Sequence, residues 1–140
     1  MRTLLLTTAA VSFLCFNMSA HALNETCYYP THNPNTGQME DGAQKPIHID
    51  IQRPDSGKMS ESATYNASGS RTPSGQIGYE WKEGTGGLQY TSFSDAIITV
   101  TPIPKNPGEG GGRNVFTKLT IHDPVCGFSQ STEFNVNFYE

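Results

Sequence analysis

The sequence predicts an all-β fold: a single antiparallel β-sandwich of immunoglobulin-like type, with about seven short strands and one disulfide. Three observations carry that expectation. Apolar and polar residues alternate over several short segments, with the period of two that sends successive side chains to opposite faces of a strand. Glycine and proline, 14 and 9 residues of 140, punctuate the chain between those segments. Two cysteines, Cys27 and Cys126, remain once the N-terminal segment is set aside as a leader.

The leader is legible first. Met1-Arg2 is a short positive start, and Leu4 to Phe16 is apolar apart from Thr7, Thr8 and Ser12. Ala20-His21-Ala22 places small residues where a signal peptidase cuts. The apolar run is shorter than the roughly 20 residues a membrane span needs. Cys15 follows the bulky Phe13-Leu14, which does not suit lipid attachment. Residues 1–22 are therefore expected to be a cleaved secretory signal peptide, and residues 23–140 one β-sandwich domain. With 35% apolar and 10% aromatic residues the chain can build a small core, which argues against disorder.

Losing Arg2 leaves 8 of the 9 basic residues against 13 acidic ones, a net charge of −5 with His neutral. The charges are scattered singly, so no basic stripe exists to track phosphates or anionic lipid. Nucleic acid and a membrane span are both excluded as expectations. Export would leave Cys27 and Cys126 in a compartment that permits disulfides, with one intramolecular pairing open to them. A loop of that length is worth about 4–5 kcal/mol on the chain-entropy model. That is large beside a total stability of about 5–15 kcal/mol. A cross-chain disulfide or a redox pair competes, but there is no Cys-x-x-Cys and no adjacent His or Lys to activate a thiolate. A structural staple is expected.

The strands follow in order. Ile47, Ile49 and Ile51 alternate with His48, Asp50 and Gln52. Met59 to Tyr65 leans towards strand through Thr64 and Tyr65. Ile77, Tyr79 and Trp81 alternate with Gly78, Glu80 and Lys82, which puts Trp81 in the core. Leu88 to Phe93 and Ala96 to Val100 are shorter signals. Val115, Thr117, Leu119 and Ile121 alternate with Phe116, Lys118, Thr120 and His122, and Phe134, Val136 and Phe138 close the series. Turns are expected at Asn33–Gly37, Asp41-Gly42, Asp55-Ser56-Gly57 and Gly84–Gly87. Asn66–Gln76 and Pro102–Gly112 read as loops.

Searches for chemistry find little. No Gly-x-Ser-x-Gly elbow is present, and Thr72-Pro73-Ser74-Gly75 lacks the leading glycine. Gly108-Glu109-Gly110-Gly111-Gly112 leads into a strand, whereas a phosphate loop must open a helix, so no cofactor is expected. His48 and Asp50 share a strand face about 7 Å apart and could hold a metal if His122 or Asp123 joined them. The plainer reading makes His48, Asp50 and His122 the solvent-facing halves of amphipathic strands. Adjacent on one strand, His122 and Asp123 would point to opposite faces. Tyr28 and Tyr29 are candidate binding residues, because consecutive strand residues cannot both face inward. Asn24-Glu25-Thr26 and Asn66-Ala67-Ser68 are glycosylation sequons in a eukaryotic host.

Two short resemblances complete the reading. Gly127 fourteen positions from the end, then alternating Phe134, Val136 and Phe138, with Tyr139 penultimate, resembles the end of a chaperone-usher pilin. That resemblance implies a terminal strand that engages a partner and a role in surface assembly. Tyr139 falls out of the alternation, and the cysteines stand wider apart than in that family. Asn33-Pro34-Asn35-Thr36-Gly37 with Gly84-Thr85-Gly86-Gly87 resembles two loop motifs of chagasin-type cysteine-protease inhibitors; the third motif is missing.

The function expected is that of an exported, non-catalytic binding module contacting a protein or glycan at the cell envelope or outside the cell. A pilin-like surface-assembly subunit is one alternative. A small secreted hydrolase or metal-dependent enzyme is the other, and would bring His48 and His122 together in a cleft.

Overall fold

A computed structural model of the chain describes residues 22–140, so the expected leader, residues 1–22, lies outside the described residues apart from Ala22. The described part is all-β, with no helix and one disulfide, Cys27–Cys126. The nine strands are β1 (Tyr28–His32), β2 (Met39–Gln44), β3 (Ser56–Lys58), β4 (Ala63–Asn66), β5 (Gly78–Glu83), β6 (Leu88–Tyr90), β7 (Ile97–Pro102), β8 (Arg113–Asp123) and β9 (Phe128–Tyr139). β1 and β2 form a two-stranded ribbon. A four-stranded sheet has the order β3-β9-β8-β5, and a three-stranded sheet the order β4-β7-β6.

The β8–β9 hairpin is the longest pairing, in unbroken register from Arg113 opposite Phe138 to Asp123 opposite Phe128. Its alternation buries Val115, Thr117, Leu119 and Ile121 on β8 with Phe134, Val136 and Phe138 on β9. Trp81 of β5 joins them, and Tyr65, Leu88, Ile98 and Val100 arrive from the three-stranded sheet. One core thus draws on both sheets. Trp81 is buried with its indole N–H donated to the Asp95 carbonyl at 2.8 Å, as a buried indole requires. The Tyr65 hydroxyl lies in the same core without a hydrogen-bond partner; the nearby Thr117 hydroxyl bonds Tyr90 at 2.9 Å. Burial first, then the neighbouring Tyr90, pushes the Tyr65 phenol up to about 12.

The structure corrects the expected architecture in five places. The four-stranded sheet is mixed, because β3 runs parallel to β9, so the sheets are not all antiparallel. The described residues form nine strands where about seven were expected, and β8 and β9, at 11 and 12 residues, are not short. Ile47–Gln52 is extended yet belongs to no named strand: its backbone pairs only through isolated bridges, His48 to Arg71 and Gln52 to Asn66, and through the Ser70 hydroxyl at Asp50. Its alternation is real, since the isoleucines face the core, but alternation reports burial and is silent on pairing. Asp41-Gly42, expected to turn, lies inside β2 opposite a register shift between Tyr28 and Pro30. A side chain at position 42 would meet the Tyr29 carbonyl and Thr31, so glycine serves close approach there and not reversal of the chain. Gly57, also read as a turn residue, sits in β3 directly against the Phe138 ring.

Candidate interaction surface

Several of the residues singled out in the sequence, Cys27, Tyr28, His122 and Cys126, lie at one end of the molecule around the β8–β9 turn. Asp123 makes that turn. Its Oδ1 accepts the backbone N–H groups of Val125 at 3.0 Å and Cys126 at 2.9 Å and the Ser74 hydroxyl at 2.7 Å; its Oδ2 accepts the Ser74 N–H at 2.9 Å. Burial works to raise this carboxyl, but the four hydrogen bonds outweigh it and hold the pKa down at about 2. Gly127, at φ +73, closes the turn onto the Asp123 carbonyl. As expected, His122 and Asp123 point to opposite faces, Asp123 being buried and His122 half-exposed.

Cys126 on this turn bonds Cys27, with 5.5 Å between the Cα atoms, and so ties down the start of the ribbon. The Tyr28 ring meets the Phe128 ring edge-on at 5.4 Å. The Lys45 N–H donates to the Cys27 carbonyl at 2.8 Å, its Nζ donates to the Glu25 carbonyl, and the same ammonium stands 5.7 Å from the Tyr29 ring. Away from this base the ribbon is open to solvent. Tyr29 and Met39 are 51% and 50% exposed, although both are apolar enough to bury. At its tip, where a turn was expected, Gly37 has φ +70 and the Asn33 side chain accepts the Asn35 N–H at 2.9 Å, an Asx turn. Tyr28 and Tyr29 therefore divide their tasks: one anchors, the other is presented.

His122 lies beside this base on the outer face of the four-stranded sheet. Its Nδ1 is 2.7 Å from the Ser129 hydroxyl and its Nε2 3.2 Å from a Glu80 carboxylate oxygen. A carboxylate only accepts, so in the neutral ring Nε2 carries the proton and Nδ1 accepts from Ser129. The order Ser–His–Glu is that of a nucleophile relay, yet its setting is the exposed outer face of a sheet. Thr120–Ser131 at 2.8 Å and Asn114–Asn137 at 2.6 Å repeat the same cross-strand pairing on the same face. His122 and Glu80 line none of the cavities described below. The structure places the other metal candidates elsewhere: His48 pairs through its backbone with Arg71, and Asp50 through its backbone with the Ser70 hydroxyl. Among the described residues no three of His, Cys, Asp and Glu gather as a metal site would need.

A second feature lies along β9. Its flank away from β8 carries a strand only at Asn137–Tyr139, where β3 pairs with it. Beside the remainder run two cavities of about 250 and 150 Å³. Ile49, Ile51 and Arg53 face Thr132, Glu133 and Phe134 across the first. Gln44–Ile47 face Phe128–Gln130 across the second. The Arg53 guanidinium covers the Phe134 ring at 4.5 Å.

Sequence reading missed Glu80, Ser129, Lys45 and Phe128 as neighbours of the flagged residues. Glu80 carried one faint signal, the polar phase of β5, as His122 did on β8; Ser129 carried none. The two glycine-rich loop motifs do not share one setting. Gly84–Gly87 packs beside Phe116 and Arg113, at the far end of β8 from Cys126, while Asn33–Gly37 tips a ribbon rooted at Cys27. Compared with protein-family models, curated proteins and solved structures, the chain matches none of them.

Proposed function

We propose that the chain is an exported, non-catalytic interaction module, an immunoglobulin-like β-sandwich that meets a protein or glycan partner at the cell envelope or outside the cell. The ribbon carries this reading. Two strands that add nothing to the main core are held by the Cys27–Cys126 disulfide, and they present Tyr29 and Met39 to solvent. A rigid exposed aromatic and a flexible thioether are the side chains from which contact surfaces are built. The disulfide is compatible with an oxidising, exported compartment.

The test is a pull-down from native envelope and secreted fractions, comparing exported protein with a Tyr29→Ser/Met39→Ser variant, after mass spectrometry has established a start at Leu23 and the disulfide. Saturable capture of one polypeptide or glycan, lost in the variant, is the expected result. Capture unchanged in the variant would remove the ribbon from the account. A surface-assembly subunit is the second reading, favoured by the unpaired flank of the C-terminal strand β9. It predicts concentration-dependent polymers of the exported protein, detectable by light scattering.

A further inference from the structure

The inward phase of β9 changes character along the strand. Phe134, Val136 and Phe138 are buried in the core. On the same phase Thr132 and Gln130 stand opposite the buried Leu119 and Ile121 of β8, yet Thr132 is half-exposed and Gln130 exposed. Polar residues on a phase that faces the core break the alternation, and such local exceptions concentrate at functional sites. Thr132 borders the cavity of about 250 Å³, where Ile49, Ile51 and Arg53 face Thr132, Glu133 and Phe134. β3 covers β9 only at Asn137–Tyr139, so the backbone of β9 beside this cavity has no strand partner on that flank.

The walls of the cavity differ in chemistry. Ile49 and Ile51 form an aliphatic wall, half-buried against the core. Facing them, the Thr132 hydroxyl both donates and accepts, and the Glu133 carboxylate accepts only. The Arg53 guanidinium adds donors, and it is held in place. It lies 4.5 Å from the Phe134 ring centre, donates to the Pro54 carbonyl at 3.3 Å and stands 3.6 Å from the Asp55 carboxylate. Elsewhere on this sheet polar side chains bond one another, as Thr120 does with Ser131 and Asn114 with Asn137. Among the described residues the Thr132 and Glu133 side chains have no such partner.

A fitting ligand therefore carries donors and acceptors on its rim, an apolar face and no net charge. Asp55 already answers the Arg53 charge, and Glu133 disfavours an anion. A metal ion is unsuited, since among the described residues no three ligating side chains gather. The space is below the roughly 300–1,000 Å³ of sites for drug-sized molecules, which limits the ligand to about one ring. We propose that this cavity binds one pyranose ring of a neutral sugar. Its hydroxyls would bond Thr132, Glu133, Arg53 and the open backbone of β9, and its C–H face would pack on Ile49 and Ile51. The site stands independently of the ribbon, because neither Tyr29 nor Met39 lines it.

NMR chemical-shift mapping on the exported protein, with its disulfide intact, tests this site. The probes are glucose, galactose, mannose, N-acetylglucosamine and N-acetylgalactosamine. Glucuronate serves as the charged comparison and sorbitol as a polyol without a ring face. At least one neutral pyranose is expected to shift amides within 49–53 and 130–134 saturably, with a Kd of about 5 mM or below. Glucuronate and sorbitol should bind at least about tenfold more weakly. Thr132→Val and Glu133→Gln alter groups that are not buried, so both variants should keep the native thermal midpoint. Each is expected to weaken the sugar about fivefold or more. Saturable shifts from no pyranose, sorbitol binding as well as the best sugar, or affinity unchanged in both variants would overturn the proposal. Shifts confined to residues 28–44 would also overturn it and give the sugar to the ribbon, so the two sites fail separately.

Discussion

The β1–β2 ribbon and the β8–β9 hairpin are both antiparallel pairs, and they are held in place by opposite means. β8 alternates strictly and buries one face along most of its length, and β9 buries its matching face from Phe134 to Phe138. β1 and β2 alternate in nothing, and all but three of their residues are exposed. Burial fixes the hairpin, because slipping it by one residue would turn its apolar side chains to solvent. A two-stranded ribbon without such a face is marginal in water. Here a covalent bond, the Tyr28–Phe128 contact and a few base hydrogen bonds stand in for a core. The lesson is that one short chain can hold one region in place by burial and another, largely exposed, by a covalent tether.

Breaking the hairpin side should have the largest effect. Trp81→Ala, which empties the space against Tyr65 and orphans the Asp95 carbonyl, is expected to cost about 3–5 kcal/mol in urea unfolding. Removing both Cys27 and Cys126 as serines should cost about 2–4 kcal/mol. The two regions should then separate: limited proteolysis is expected to cut within residues 23–45 while the Trp81 fluorescence of the remainder persists. If the ribbon resists protease without its disulfide, the covalent tether is not what holds it.

Asp123 sits where the two regions join, and its variant sharpens the comparison further. Asp123→Asn weakens the acceptors for Val125, Cys126 and Ser74, a loss of about 1–2 kcal/mol near neutral pH. The sign with pH is fixed by the depressed pKa of about 2 against an unfolded value near 3.9. The contribution is fully present above about pH 5 and is lost as pH falls towards 2. Urea midpoints measured across that range should drop in the native protein more than in the variant. The smallest effects belong to the ribbon and to one misfit of the core. Tyr29→Ser should move stability by less than about 0.5 kcal/mol while altering capture of a partner. Tyr65→Phe, which deletes an unpartnered buried hydroxyl, should be neutral or stabilising by up to about 1 kcal/mol.

Alternation alone determined the all-β class, the inward faces of β5, β8 and β9, and the burial of Trp81, because those properties depend on which side chains leave water. The disulfide followed equally directly from two cysteines with one pairing open to them. Short-range turn chemistry was legible at Asn33–Gly37 for the same local reason. Only the tertiary structure decided who pairs with whom. It left Ile47–Ile51 an extended segment outside the named strands, set β3 parallel to β9, and brought Glu80, His122 and Ser129 into one row. Backbone pairing and side-chain convergence depend on partners distant in the chain, and no local pattern of residues encodes that distance.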